Sequence, residues 1–209
     1  MRNGVDVATL ETAGRNGDAA GLRRSLGIPE DSPVIGGVFR LSTEKRPLLW
    51  AETAAAVLAR IPDAHFLLVG DGEQRVELEA HVEALGIAER LHLPGVLMQV
   101  GDALAAMQVF LLTSAFEGTP NVMLEAQWMG VPVVATRAGG CGETFVPGET
   151  GWLVTDAQPD VLAARVCEAL GDTAWRAGVR KKARAFIREQ YGMNAMISRT
   201  LKAYGISPR

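Results

Sequence analysis

From Pro33 onward the chain alternates short apolar runs with longer amphipathic stretches. Apolar runs of strand length fall at about 34–39, 65–69, 90–93, 109–112, 131–135 and 152–154, each closed by a turn. Helical patterns follow at roughly 47–60, 73–86, 100–107, 120–129, 158–170 and 173–190, with a last one near 193–204. Strands alternating with helices predict an α/β fold, an open parallel sheet of about six strands covered by helices on both faces. Residues 1–32 differ in texture. They are polar and Gly-rich, with a helical fragment around Asp18 to Leu26 and a turn from Gly27 to Ser32, and read as a lead-in that contributes little core. The expected organisation is a lead-in or interdomain linker over 1–32, one domain over 33–190 and a C-terminal helix over 191–209.

The most informative stretch is 113–130, where the Val109–Leu112 run gives way to a loop and then a helix that is apolar almost all round (Val122, Met123, Leu124, Ala126, Trp128, Met129). Such a helix belongs inside a core. Thr119 and Pro120 have the chemistry of an N-cap and a first helical residue, and Gly130 that of a stop. Glu125 is out of place on this helix, because a desolvated carboxylate needs a partner. The helix N-terminus before it offers backbone N–H groups and a positive dipole end, so the segment reads as an anion pocket with a carboxylate beside it.

Composition narrows the function. A 48% hydrophobic content supports a filled core, and a formal charge of −3 argues against a general nucleic-acid binder. The two cysteines, Cys141 and Cys167, form no CxxC, and His65, His81 and His92 are scattered, so no metal site is expected. No apolar run reaches the roughly 18–20 residues of a membrane span. The chain reads as cytoplasmic, with membrane contact at most peripheral through Arg180, Lys181, Lys182 and Arg184, which fit a solvated helix face better.

In open parallel sheets ligands bind beyond the carboxyl ends of the strands. The loop after the first strand carries Arg40 and, five residues on, Lys45, cations suited to a diphosphate. Gly70-Asp71-Gly72 and Gly139-Gly140-Cys141-Gly142 are permissive turns, each weak alone. Glu117 lies in the loop after the fourth strand and Glu125 eight residues later on the helix, sharing a face with Asn121 and Val122. A diphosphate at the helix N-terminus would place one carboxylate by sugar hydroxyls and the other by ribose hydroxyls, which describes a nucleotide-sugar.

Together these residues resemble the C-terminal, donor-binding domain of the retaining glycosyltransferases of family four, the group 1 glycosyl transferases, whose GT-B fold pairs two Rossmann-like domains. The resemblance rests on Asn3-Gly-Val-Asp6, Arg40 to Lys45, Leu68 to Gly72, Glu117 to Asn121 with Leu124-Glu-Ala126, Gly130 to Ala135, Gly139 to Glu143 and Gly148 to Val154. It implies that Arg40, Lys45, Asn121 and Val122 bind the donor diphosphate and that Glu125 holds the ribose. It further implies that Glu117 faces the reacting centre and contacts the sugar with Gly118, Thr119 and Pro120, while Gly95, Val96 and Leu97 cover the base. The implied donor is a nucleotide-diphosphate sugar, UDP-sugar ahead of GDP- or ADP-sugar, and no cofactor or metal is called for.

The implied activity is hexosyl transfer with retention of configuration. The acceptor-binding N-terminal domain is expected to be absent, which would leave the isolated chain inactive or weakly active. Phe39 and Gln108 depart from the family pattern, which has glycine and aspartate there. Competing readings are a nucleotide-sugar epimerase of the same fold and a non-catalytic nucleotide-sugar-binding module. A dinucleotide oxidoreductase ranks below them, because no GxGxxG follows the first strand.

Overall fold

The computed structural model describes residues 4–16 and 18–205. Six parallel strands, β1 (Val34–Val38), β2 (His65–Val69), β3 (Leu91–Gly95), β4 (Val109–Leu112), β5 (Val133–Thr136) and β6 (Gly151–Val154), form one sheet in the order β3-β2-β1-β4-β5-β6. The continuous apolar runs are explained by burial on both faces: every residue of β2, β4 and β5 is buried.

Nine α-helices are seen among the described residues: α1 (Val7–Asn16), α2 (Ala19–Ser25), α3 (Pro47–Leu58), α4 (Arg75–Ala84), α5 (Val100–Ala105), α6 (Asn121–Met129), α7 (Pro159–Gly171), α8 (Thr173–Tyr191) and α9 (Met193–Ala203). On one face α3 packs with α4 and α7, and on the other α5 packs with α1, α2 and α6. Helix α8 lies against α6 as a further layer. That third layer accounts for the all-round apolarity of α6. Its Met123 and Ala126 join the main core beside the sheet, while Leu124 and Trp128 join a second core with Val179, Ala183, Ile187 and Tyr191 of α8.

The lead-in contributes more than its composition indicates. Val5 and Leu10 belong to the second core, Ile28 to the main one, and the Val5 N–H donates to the Tyr191 carbonyl at 2.7 Å. Helix α1 was not anticipated. It is started by Asp6, whose carboxylate accepts from Ala8 N at 3.0 Å and Thr9 Oγ1 at 2.7 Å, bonds that lower its pKa. The buried Arg23 guanidinium donates to the carbonyls of Ala106, Glu30 and Ser32 and to Gln108 Oε1. Gln108 Oε1 also accepts from Val34 N at 2.6 Å, so this departure from the family pattern ties the lead-in to the start of the sheet.

The histidines are less scattered than their spacing implies. His65 Nδ1 and His92 Nε2 lie 3.0 Å apart on β2 and β3, and burial lowers both pKa values. Among the described residues no group of three or more His, Cys, Asp or Glu could hold a metal ion. No helix among them is long and apolar enough to cross a membrane.

Candidate functional site

The strand order reverses direction between β1 and β4, the crevice where open α/β sheets bind ligands. On the β1 side of the crevice the loops after β1, β2 and β3 are held together by backbone. Phe39 N donates to Val69 O, Leu41 N to Asp71 O and Gly70 N to Gly95 O, at 3.0, 3.0 and 2.9 Å. Gly70 has a φ of 136°, and a Cβ there would lie 2.0 Å from the Phe39 carbonyl oxygen. The Gly-Asp-Gly turn, weak as a motif, is thus what lets the Arg40 loop close down on the sheet.

Lys45 and Glu117, seventy-two positions apart, meet: Lys45 Nζ is 2.6 Å from Glu117 Oε1. The Glu117 side chain is 9% exposed and that of Lys45 22%. Ser114 Oγ donates to the same Glu117 oxygen at 2.6 Å. The backbone of the Glu117 loop is braced from β5. Thr136 Oγ1 donates to Ser114 O at 2.6 Å, Gly140 N donates to Glu117 O at 3.2 Å, and a Cβ on Gly140 would come 2.1 Å from Gly118 O. Behind this loop the buried Cys141 thiol is pushed up to about 12 by burial, with the Glu117 carboxylate adding to the effect, so it stays a thiol.

Arg40 sits elsewhere, 72% exposed, with Nη2 3.2 Å from Glu73 Oε2 in a surface pair that contributes little to stability. It shares a cleft of about 260 Å³ with Phe39, Gly70, Asp71, Val96 and Leu97, which brings two of the three base-covering candidates beside it. Gly95, the third, has its carbonyl taken by Gly70 N at 2.9 Å.

Helix α6 starts one residue later than its sequence indicates. Pro120, extended at φ −72° and ψ 98°, occupies the N-cap position, and no side chain caps the helix. Thr119 therefore lies outside the helix and is not its cap, because Pro120 itself does not turn helical. Asn121 opens α6 and Val122 is half-buried beside it.

Glu125, one turn further on, is half-buried, and burial raises its pKa. The partner expected for this carboxylate is missing: among the described residues it has no hydrogen bond or ion pair. A carboxyl whose folded pKa is raised stabilises the fold below its unfolded value, 4.5, and loses that contribution as pH rises through the folded value. Glu125→Gln is therefore expected to raise the melting temperature of the ligand-free chain at pH 7, by ~2–4 °C for each kcal/mol recovered, and to have no such effect at pH 4. Scanning calorimetry at both pH values checks this; an unchanged or lower melting temperature at pH 7 contradicts it.

Sequence reasoning missed Ser114 and Arg46. The Arg46 guanidinium donates to the carbonyls of Thr113 and Ser114. A polar Thr-Ser pair ending an apolar strand was the available sign of the first, and nothing in the sequence marks the second.

The pattern described as "Glycosyl transferases group 1" matches residues 18–189, spanning all four loops of the crevice. The chain belongs to this glycosyltransferase family. It is 41% identical over 180 residues to the Vi polysaccharide biosynthesis protein VipC/TviE of Salmonella typhi, covering 84% of this chain and 31% of that protein. It is 31% identical to a GDP-mannose-dependent phosphatidylinositol monomannoside mannosyltransferase of Corynebacterium glutamicum, covering 100% of this chain and 56% of that one. Among solved structures, Anabaena Alr3699/HepE in complex with UDP-glucose superposes with a TM-score of 0.82 at 29% identity, over 97% of this chain and 57% of that one. The chain thus spans between about a third and somewhat more than half of the length of these proteins. The glycosyltransferase domain is a Rossmann-like half of the GT-B type.

Proposed function

We propose that this glycosyltransferase domain binds the nucleotide-diphosphate-sugar donor of a hexosyl transfer that proceeds with retention of configuration. The observation that carries the reading is the meeting of Lys45 and Glu117 at the strand-order reversal, in front of an α6 N-terminus that no side chain caps, with Glu125 unpartnered one turn beyond. A diphosphate in that position competes with Glu117 for the Lys45 ammonium and meets the positive end of α6. Glu125 then accepts from ribose hydroxyls, which provides the hydrogen bonds it lacks in the free chain.

In the transfer step charge builds on the departing diphosphate. Lys45, with Arg40 swung from its exposed pair with Glu73, stabilises that charge. Glu117, released from Lys45, faces the sugar together with the backbone of Gly118, Thr119 and Pro120. The HepE complex with UDP-glucose supports UDP-sugar as the first donor to try, and the GDP-mannose-dependent relative keeps GDP in the comparison. In this reading the acceptor binds on a second domain. Support comes from the share of its relatives that the chain spans and from the exposed apolar residues of α9, Met193 and Ile197, with Tyr204 just beyond its end.

Thermal unfolding with UDP, GDP and ADP in parallel tests the reading. A ligand at a hundred times its dissociation constant adds about 2.7 kcal/mol, which for a domain of this size raises the melting temperature by roughly 5–10 °C. At least one nucleotide is expected to do so, and Arg40→Ala is expected to shrink the response. No response to any of the three would overturn the proposal.

A further inference from the structure

Arg46 is the one non-glycine residue with positive φ among the described residues, at φ 53° and ψ 58°. Glycine or asparagine would adopt that left-handed conformation with less strain, so the backbone gives no reason for arginine. The side chain does. Arg46 Nε donates to Thr113 O at 2.6 Å and Nη2 to Ser114 O at 2.9 Å, which uses the planar fork on two consecutive carbonyls, a geometry that lysine cannot reproduce.

The β4 loop bonds back. Thr113 Oγ1 shares its one hydrogen between Lys45 O at 2.9 Å and Arg46 O at 3.2 Å, and Ala115 N donates to Glu44 O at 2.7 Å. Four donor hydrogens, one of them shared between two carbonyls, therefore join residues 44–46 to residues 113–115. Lys45 lies inside this seam, and Glu117 two residues beyond it. Strained backbone persists only where the surroundings over-determine it, and here the surroundings are the two loops that carry the site's charged pair.

We infer that Arg46 is a positioning residue: its guanidinium locks the loop after β1 to the loop after β4, and so sets where the Lys45 ammonium stands relative to the Glu117 carboxylate and the incoming diphosphate. The clamp stands on geometry alone, and its consequence for binding rests on the nucleotide-site reading above.

The test uses Arg46→Gly, which removes the fork and relieves the backbone strain, and Arg46→Lys, which keeps the charge. Arg46→Asn, also at ease in the left-handed region, replaces the glycine variant if that one is poorly folded. The readouts are amide exchange at Ala115 and UDP titration by calorimetry, the latter repeated in a Lys45→Met background. We expect exchange at Ala115 to quicken at least tenfold in Arg46→Gly while the Phe110 and Leu111 amides hold. UDP affinity is expected to fall at least tenfold, and Arg46→Lys not to restore it. Lys45→Met is expected to lose less affinity in the Arg46→Gly chain than in the unsubstituted one, a coupling that a merely structural staple would not produce. Unchanged exchange at Ala115 overturns the clamp. Quickened exchange with UDP affinity within twofold of the unsubstituted chain, or equal Lys45→Met losses in both backgrounds, overturns the positioning role. An unsubstituted chain that binds none of UDP, GDP or ADP overturns the nucleotide reading, and the positioning role with it.

Discussion

Lys45→Met is expected to weaken UDP binding by about 10- to 150-fold, the loss of one hydrogen bond to a charged group at about 1.5–3 kcal/mol. The substitution also has a stability effect that separates it from an ordinary surface change. The Glu117 side chain is 9% exposed and, among the described residues, would keep only the Ser114 hydroxyl as a side-chain partner. Leaving a largely buried carboxylate without its cation costs about 1–3 kcal/mol at a site where the lysine side chain is partly exposed. Lys45→Met combined with Glu117→Gln should recover most of that stability, since the uncompensated charge is gone, yet recover none of the UDP affinity. Urea unfolding and titration calorimetry on the two single variants and the double variant read the two effects apart. Equal stability of Lys45→Met and the unsubstituted chain would show that the pair is incidental.

The second large effect is expected at Gly139. Its φ is 45°, and an added Cβ would sit 1.9 Å from the carbonyl oxygen of Glu117, backbone that cannot step aside as a flexible side chain could. Gly139→Ala therefore combines left-handed strain with overpacking, together about 2–4 kcal/mol of lost stability. Part of the collision is relieved by pushing residues 117–118 outward, so the UDP-induced rise in melting temperature should disappear even where the variant remains folded. Gly142→Ala is the control on the same loop. Its Cβ would meet only a Leu153 methyl at 3.3 Å, and a change within about 0.5 kcal/mol is expected. Similar behaviour of the two variants would argue against close packing of the two loops as the support for Glu117.

The sheet was legible because strands buried on both faces must be apolar throughout, and short continuous runs such as Val109–Leu112 have few other structures to adopt. Helix α6 was legible for a related reason, although its uniform apolarity could not say that one side would meet the sheet and the other α8. Helix α1 was not legible. Val7–Asn16 is neither apolar nor polar on average, and what holds it is Leu10 and the preceding Val5 packed against residues near the other end of the chain. The Asp6 cap, visible in the sequence, was the available sign.

For the site, residue types and spacing pointed to Lys45, Glu117 and Glu125, while the contact between the first two is a product of β1 lying beside β4 in parallel. Thr119 was misplaced because the chemistry of a Thr-Pro pair does not disclose the ψ of the proline. Arg46 was invisible for the same reason, since its role depends on a left-handed φ that an arginine does not announce.

The most direct test is a crystal structure of the chain soaked with UDP. The account predicts a diphosphate in front of the α6 N-terminus, within hydrogen-bonding distance of Lys45 Nζ and the Arg40 guanidinium, with the ribose hydroxyls on Glu125 and the base over Val96 and Leu97. UDP bound away from the β1–β4 crevice, or a ribose that leaves Glu125 without a partner, would contradict it.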